Sequence, residues 1–192
     1  GDHIFGLPGV ITSFLHYSRT APLHIIGPFG IKKFVDTCIQ LSGSQLNYTL
    51  IVTEFDATLS QTLYEDRNLC VKSLPLQHRL PTMGFIFEEK PQFRKLRPEK
   101  IELFRLSHQE IKTLKADQPV TREDGSILQP DVVNYPKSRP RRYAYLSDTI
   151  YDPSLVDAIK DVNVVYHETT YLSDMEKEAQ NRMHATSWQA AS

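Results

Sequence analysis

The order of its apolar segments constrains the fold of this chain more strongly than its composition does. Residues 7–15 carry apolar side chains at helical spacing, residues 23–26 form a short apolar run, and residues 31–41 return to helical spacing. Because helices and strands bury apolar side chains with different periods, this order predicts helix, strand, helix. Such alternation is typical of layered α/β folds.

The rest of the chain adds strands and further helices, among them a short helical stretch near Gln109 to Leu114. Five further strands are predicted over residues 48–52, 69–76, 83–87, 143–146 and 162–166, which are rich in β-branched, aromatic and aliphatic side chains. A helix behind Pro153, with Asp152 as its N-cap, connects the last two strands. A helix over 176–182 and another that opens at Ala185 end the chain.

Residues 91–142 differ in character from the segments around them. Their first basic cluster contains Arg94, Lys95, Arg97 and Lys100. A second basic cluster follows over 137–142, after a turn signal at 123–126. We expect a single domain over 1–192, in which 91–130 form a short basic appendage. A solvated surface is the simpler interpretation of either cluster.

Charge, hydropathy and cysteine content exclude several classes of protein. A net charge of −1 gives no whole-molecule attraction to nucleic acid. No apolar run approaches the roughly 18 residues that a membrane span requires, so no membrane partner is expected. Cys38 and Cys70 show neither disulfide nor zinc-ribbon spacing, which indicates buried thiols in a reducing compartment, and we expect the cytoplasm.

Polar groups that can bind a metal stand at or beyond the ends of predicted strands. These groups are His78, Asp148 and the pair His167-Glu168. Each has an ordinary explanation when considered alone: a hydrogen-bonded structural histidine, or an aspartate in a turn or helix cap. In layered α/β folds, however, loops at strand ends are where sites are assembled, because the rigid sheet fixes their positions.

Asp2 and His3 at the start and His184 near the end extend this set of candidates. Imidazole and carboxylate are ligands that suit zinc. A carboxylate that bridges two metal ions, as Asp148 could, holds them roughly 3.5–4 Å apart, and such a pair polarises a phosphoryl oxygen. Asp2 could orient the attacking hydroxide.

At these positions the sequence resembles ribonuclease Z, the tRNA 3′-processing endonuclease family of the metallo-β-lactamase fold. Gly1-Asp2-His3-Ile4-Phe5-Gly6-Leu7-Pro8-Gly9 resembles the end of its His-x-His-x-Asp-His motif. Four later segments resemble further family motifs in the same order: Pro75-Leu76-Gln77-His78 with Gly84-Phe85, Ser147-Asp148-Thr149, His167-Glu168-Thr169-Thr170, and His184-Ala185-Thr186-Ser187. Five segments in order are far more specific than any one of them.

Some positions depart from the family pattern. Ser147 replaces the usual Gly, Thr169 the usual Ala and Ala185 the usual Ser, and all three residues are small. The appendage lacks the Gly-Pro element found in the substrate arm of many members, so contacts with tRNA would fall to the first basic cluster. We expect two histidines of the opening motif upstream of Gly1 and one more histidine ligand beyond Ser192.

The resemblance implies a four-layer αββα sandwich, two zinc ions and hydrolysis of the phosphodiester after the discriminator nucleotide of precursor tRNA. It implies Asp2, His3, His78 and Asp148 as metal ligands, with Asp2 also catalytic. His167, Glu168 and His184 would manage protons, while Arg94, Lys95, Arg97 and Lys100 grip tRNA phosphates. The family usually forms homodimers in which one arm serves the partner's site.

Two alternatives remain open from the sequence. The chain could be another metallo-β-lactamase-fold hydrolase that acts on small phosphodiesters or sulfate esters, although the basic appendage argues mildly against this. It could also be a metal-free chain that binds RNA or a partner without catalysis, since several expected ligands lie outside the 192 residues.

Overall fold

The computed structural model describes residues 2–192, and Gly1 of the opening motif lies outside the described residues. A 3-10 turn, Asp2–Ile4, precedes helix α1 (Leu7–His16), strand β1 (Leu23–Pro28), helix α2 (Ile31–Ser42) and strand β2 (Leu50–Phe55). The predicted helix, strand, helix order is therefore confirmed. Gly43 caps the C-terminal end of α2, and its φ of 63° is a left-handed conformation that glycine adopts without strain.

The remaining elements form a long sheet, an inserted unit and a C-terminal helical segment. The strands are β3 (Thr62–Glu65), β4 (Leu69–Leu76), β5 (Thr82–Glu89), β6 (Val120–Thr121), β7 (Ile127–Leu128), β8 (Arg142–Leu146) and β9 (Val164–His167). The helices are α3 (Pro98–Leu103), α4 (His108–Lys115), α5 (Pro130–Val133), α6 (Leu155–Ile159), α7 (Glu176–Arg182) and α8 (Ser187–Ala191). Among residues 2–192, no helix is both long and apolar enough to cross a bilayer.

Two sheets form the middle of the molecule. β1 and β2 pair in parallel, while the second sheet has the order β3-β4-β5-β8-β9. Its neighbours are antiparallel except β8 and β9, which run parallel. As a result β4, β8 and β9 all point the same way, and their carboxyl ends meet at one edge of the sheet.

Three apolar clusters stack these elements into four layers. Ile11 of α1 and Val35 of α2 are fully buried against the β1–β2 sheet. Between the two sheets, Phe55 of β2 packs with Met83 and Phe85 of β5. On the opposite face of β5, Ile86 packs with Leu155 of α6. Because alternate strand residues face opposite sides, β5 contributes to both clusters, and the layers are helix, sheet, sheet, helix.

Residues 96–134 form a unit with a core of their own, which we call the arm. Its buried side chains are Leu96, Leu106, Leu114, Leu128 and Val133, and none of them belongs to the clusters between the layers. Ser107 and Glu110 form a capping box at the start of α4. The predicted turn lies between β6 and β7, where Gly125 has a φ of 79°.

Candidate metal centre

The shared sheet edge brings together the loops that the sequence predicted to be functional. His78 follows β4, Asp148 follows β8, and His167-Glu168 lies at the end of β9. Backbone hydrogen bonds join two of these loops, because the Ile150 N–H donates to the Gln77 carbonyl at 2.9 Å. The Gln77 N–H also donates to the buried hydroxyl of Thr149, at 3.3 Å. These bonds fix the spacing between His78 and Asp148.

Gly84 allows the close approach of β5 and β8 in the same region. A Cβ added at Gly84 would lie 2.6 Å from the carbonyl oxygen of Tyr145, a distance that real Cβ atoms essentially never show. Only glycine therefore fits this backbone without displacing β8, the strand that leads into Asp148.

His78, Asp148 and His184 converge on one point. One potential ligand atom from each residue lies within 4.8 Å of the other two. The Nδ1 of His78 donates to the carbonyl of Met183 at 2.9 Å, and the Nδ1 of His184 donates to Oε1 of Glu168 at 3.0 Å. Because both Nδ1 atoms are occupied, the Nε2 atoms remain for a ligand.

His3 joins this group through Asp148. Its Nε2 lies 2.9 Å from Oδ2 of Asp148, and its Nδ1 lies 3.4 Å from the hydroxyl of Ser147. Asp2 lies next to it in the exposed 3-10 turn. Its carboxylate makes no hydrogen bond within the part of the chain that the structure describes, so the structure brings His3 to Asp148 but gives Asp2 no partner.

Glu168 holds together the loop behind His78, Asp148 and His184, three residues that we call the metal group. Its carboxylate, 6% exposed, accepts hydrogen bonds from the backbone N–H groups of Thr149, Thr170 and Ala185 as well as from His184. Burial raises the pKa of Glu168, but these backbone hydrogen bonds outweigh it and hold the pKa below its ordinary value. An ionised Glu168 therefore faces the His184 ring.

His167 is placed differently from its neighbour. Its Nδ1 donates to the backbone carbonyl of Glu168 at 2.7 Å, and it does not belong to the group formed by His78, Asp148 and His184. This hydrogen bond fixes the ring at the end of β9. Of the predicted pair, Glu168 is thus the residue in direct contact with the metal group.

The chemistry of these side chains fits a divalent metal ion. Two imidazoles and a carboxylate form a nitrogen and oxygen donor set that zinc accepts. Both imidazoles also carry the Nδ1 hydrogen bonds that typically orient metal-binding histidines. The carbonyl of Met183 was not foreseen, because its role depends on the left-handed turn at residue 183 and not on a side chain.

The predicted tRNA contacts lie at the start of the arm or just before it and differ in their environments. Arg94 is 7% exposed and binds the carboxylates of Asp117 and Asp131, at 2.8 and 2.6 Å. It also donates to the carbonyl of Tyr135. These contacts connect the arm to the segment before it and already pair the charge of Arg94, the residue that the sequence assigned to a tRNA phosphate.

The other three cations of the cluster are more accessible. Lys95 is exposed. The guanidinium of Arg97 lies 5.6 Å from the centre of the Tyr135 ring, and the ammonium of Lys100 lies 5.9 Å from that of Phe104. Cation–π contacts of this kind orient a side chain while leaving its charge free for a phosphate.

The sequence is similar to that of known proteins along its whole length. No family model matches the chain. Ribonuclease Z of Porphyromonas gingivalis (strain ATCC BAA-308 / W83) is 35% identical over 191 residues, which cover 100% of this chain and 63% of that protein. Ribonuclease Z of Bacteroides fragilis (strain YCH46) is 34% identical with the same coverage. Over its whole length, the chain is similar to ribonuclease Z.

The chain spans 63% of the length of these two ribonuclease Z relatives. Among solved structures, the crystal structure of human tRNase Z, short form, matches with a TM-score of 0.64 at 20% identity. That match covers 100% of this chain and 62% of the human chain. The likeness confirms the predicted metallo-β-lactamase fold, in agreement with the four layers described above.

Proposed function

We propose that the protein is a zinc-dependent endoribonuclease that matures the 3′ end of tRNA. It would hydrolyse the phosphodiester 3′ of the discriminator nucleotide in precursor tRNA and leave a 3′-hydroxyl on the tRNA. The observation that carries this proposal is the convergence of His78, Asp148 and His184, within 4.8 Å, in a chain similar to ribonuclease Z throughout.

His3, His78 and Asp148, together with Asp2, are the proposed ligands of two zinc ions. Zinc bound there would polarise the scissile phosphoryl group and activate the attacking water. Asp148 would hold zinc through its carboxylate, and Asp2 would orient the water. The contact of His3 with Asp148 at 2.9 Å supports the grouping of these residues.

His184 and Glu168 are proposed to handle the proton of the leaving oxygen. As water attacks phosphorus, the bond to the tRNA O3′ breaks, and that oxygen requires a proton. The Nε2 of His184 would donate it, while the ionised Glu168 beneath Nδ1 stabilises the protonated imidazole. His167 would support this pair through its hydrogen bond to the Glu168 backbone.

Recognition of tRNA is proposed to depend on the arm. Lys95, Arg97 and Lys100 would bind backbone phosphates, which makes affinity salt-dependent. We further propose a homodimer, in which one arm serves the partner's site, and a cytoplasmic setting. The free thiols of Cys38 and Cys70 support a reducing compartment.

A direct test compares two substrates of the zinc-loaded protein. We expect shortening of a precursor tRNA with a 3′ trailer, at a single position after the discriminator nucleotide. Hydrolysis of small phosphodiesters or sulfate esters without tRNA cleavage would instead favour a small-molecule hydrolase of the same fold. Binding of precursor tRNA without hydrolysis of either substrate would favour a non-catalytic RNA-binding protein.

A further inference from the structure

Two adjoining cavities lie where the arm joins the five-stranded sheet. Their volumes are ≈480 and ≈650 Å³, and both are lined by Asn68, Gln92, Phe93 and Arg94. Their other walls come from the turn between β3 and β4, the end of α4 and the segment 135–141. We call this combined space the arm-base cavity, and it is separate from the residues of the metal group.

Arg94 fixes the walls of the arm-base cavity. Its guanidinium joins Asp117 after α4, Asp131 in α5 and the carbonyl of Tyr135. Its backbone N–H also donates to the carbonyl of Lys115 at 3.0 Å. Because one side chain connects these segments, the cavity is preformed and needs little ordering on binding.

The lining of the arm-base cavity is strongly basic. Seven cations and only two carboxylates, Glu89 and Asp117, line it. Both carboxylates already form ion pairs: Glu89 pairs with Arg141, and Asp117 pairs with Arg94 and Lys137. Arg67, Lys95 and Lys115 form no ion pair with any residue in 2–192. The cavity therefore has positive charge that no described group neutralises.

An exposed aromatic ring completes the cavity. Phe93 is 76% exposed and lines both volumes, so its ring offers an open face beside the cations. Proteins that hold single-stranded nucleic acid combine a basic groove for phosphates with aromatic rings on which bases stack. Bases within a duplex do not expose such faces, so this combination selects an unpaired strand.

We propose that the arm-base cavity binds an unpaired RNA strand, with one base stacked on Phe93 and phosphates on Arg67 and Lys115. The choice of RNA rests on the proposed function, whereas the site itself lies outside the metal group and shares only Lys95 with the phosphate contacts described above. A free nucleotide shares this chemistry of aromatic base and phosphate, so the test includes both ligands.

The test measures binding in the presence of a chelator, so that its outcome does not depend on cleavage. A short unstructured RNA oligonucleotide is titrated by fluorescence anisotropy, and adenosine monophosphate by calorimetry. We expect RNA affinity to fall with salt and to fall by about tenfold in Phe93→Ala, the loss typical of one stacked base. Phe93→Trp should restore binding, while Arg67→Ala and Lys115→Ala should each reduce the salt dependence.

Matched controls are available in α2 and in the turn before it. Phe29 is 72% exposed and Lys33 is exposed, and neither lines the arm-base cavity. Phe29→Ala and Lys33→Ala should leave RNA binding unchanged. RNA binding that is equal in Phe93→Ala and the parent protein, or binding of the mononucleotide alone, would overturn the proposal. Failure to cleave precursor tRNA would count only against the proposed function.

Discussion

The imidazoles of His78 and His184 differ in the group that accepts their Nδ1 hydrogen. His78 donates to the neutral carbonyl of Met183, whereas His184 donates to the carboxylate of Glu168. Carbonyl and carboxylate acceptors both occur behind metal-binding histidines, but only the carboxylate adds a negative charge beside the ring. The proposed roles, His78 as a ligand and His184 as the proton donor, therefore need a direct test.

Replacing His184 tests this division of roles. In His184→Ala we expect bound zinc to stay near the parent level, while single-turnover cleavage of precursor tRNA slows by about 10²- to 10⁴-fold, the usual contribution of a general acid. His78→Ala should lose zinc and activity together. Equal loss of zinc in both variants would show that His184 is instead a metal ligand.

Glu88 provides a pH-dependent contribution to stability, remote from the metal group. The hydrogen bond from Lys72 lowers the pKa of Glu88 below its ordinary 4.5, with Arg142 adding to the effect against the cost of burial. The ionised carboxylate therefore stabilises the fold above about pH 4.5, the ordinary pKa of a glutamate. This stabilisation is lost as the pH falls through the lower pKa that Glu88 has in the folded state.

We expect Glu88→Gln to lower the free energy of unfolding by about 1 kcal/mol at pH 7. The difference from the parent protein should shrink as pH falls below about 4. Urea denaturation at both pH values measures this, with the exposed Glu178→Gln as control. A difference that stays constant with pH would contradict the ion-pair explanation.

At the scale of elements, the contact between β5 and β8 determines where Asp148 lies. Gly84→Ala would place a methyl group against the Tyr145 carbonyl, and we expect a loss of about 1–3 kcal/mol in unfolding free energy with weaker zinc binding. Gly9→Ala is the matched control, because no atom lies within 4 Å of an added Cβ inside α1. It should be neutral or slightly stabilising. Similar losses in both variants would contradict this role for Gly84.

The arm provides the second prediction at this scale. Arg97→Ala should weaken binding of precursor tRNA, because one phosphate contact is lost. The slope of log affinity against log salt concentration should become shallower by about 1. Hydrolysis of a small phosphodiester should stay unchanged. Lys33→Ala on α2 controls for the loss of a positive charge. Equal losses on both substrates would indicate that Arg97 acts through the metal group and not through tRNA.

Elements with strong periodicity or clear end signals were predicted well from sequence. Leu69–Leu76 and Glu176–Arg182 were predicted with their observed bounds. β3 was missed because it is short and largely exposed, with few apolar residues to signal it. α3 and α5 were missed because the apolar residues of the arm meet only after folding.

The candidate site, like the fold, could be predicted only in part from the sequence. His78, Asp148 and His184 carry functional groups at strand ends or helix boundaries, which sequence reveals. The backbone donors to Glu168 depend on tertiary placement, and so do the ion pairs of Arg94. Neither set of contacts can be predicted from the order of residues in the sequence.

At the scale of the whole molecule, metal binding is expected to couple to stability. Ligands from the first turn, β4 and β8 lie far apart in sequence, so an ion held by them connects distant parts of the fold. At zinc concentrations about 100-fold above Kd, we expect Tm to rise by about 5–10 °C. Asp148→Ala should abolish this rise, and Asp174→Ala should keep it. Scanning calorimetry measures both, and an equal rise in Asp148→Ala would contradict the proposed site.

The separate core of the arm also has an evolutionary consequence. Because Leu114 and its neighbours pack only with one another, substitutions or length changes there leave the layers that hold the metal group intact. Such changes must preserve the two short connections near residues 95 and 135 and the ion pairs of Arg94 with Asp117 and Asp131. Selection can therefore change the arm while the layers that position His78, Asp148 and His184 stay the same.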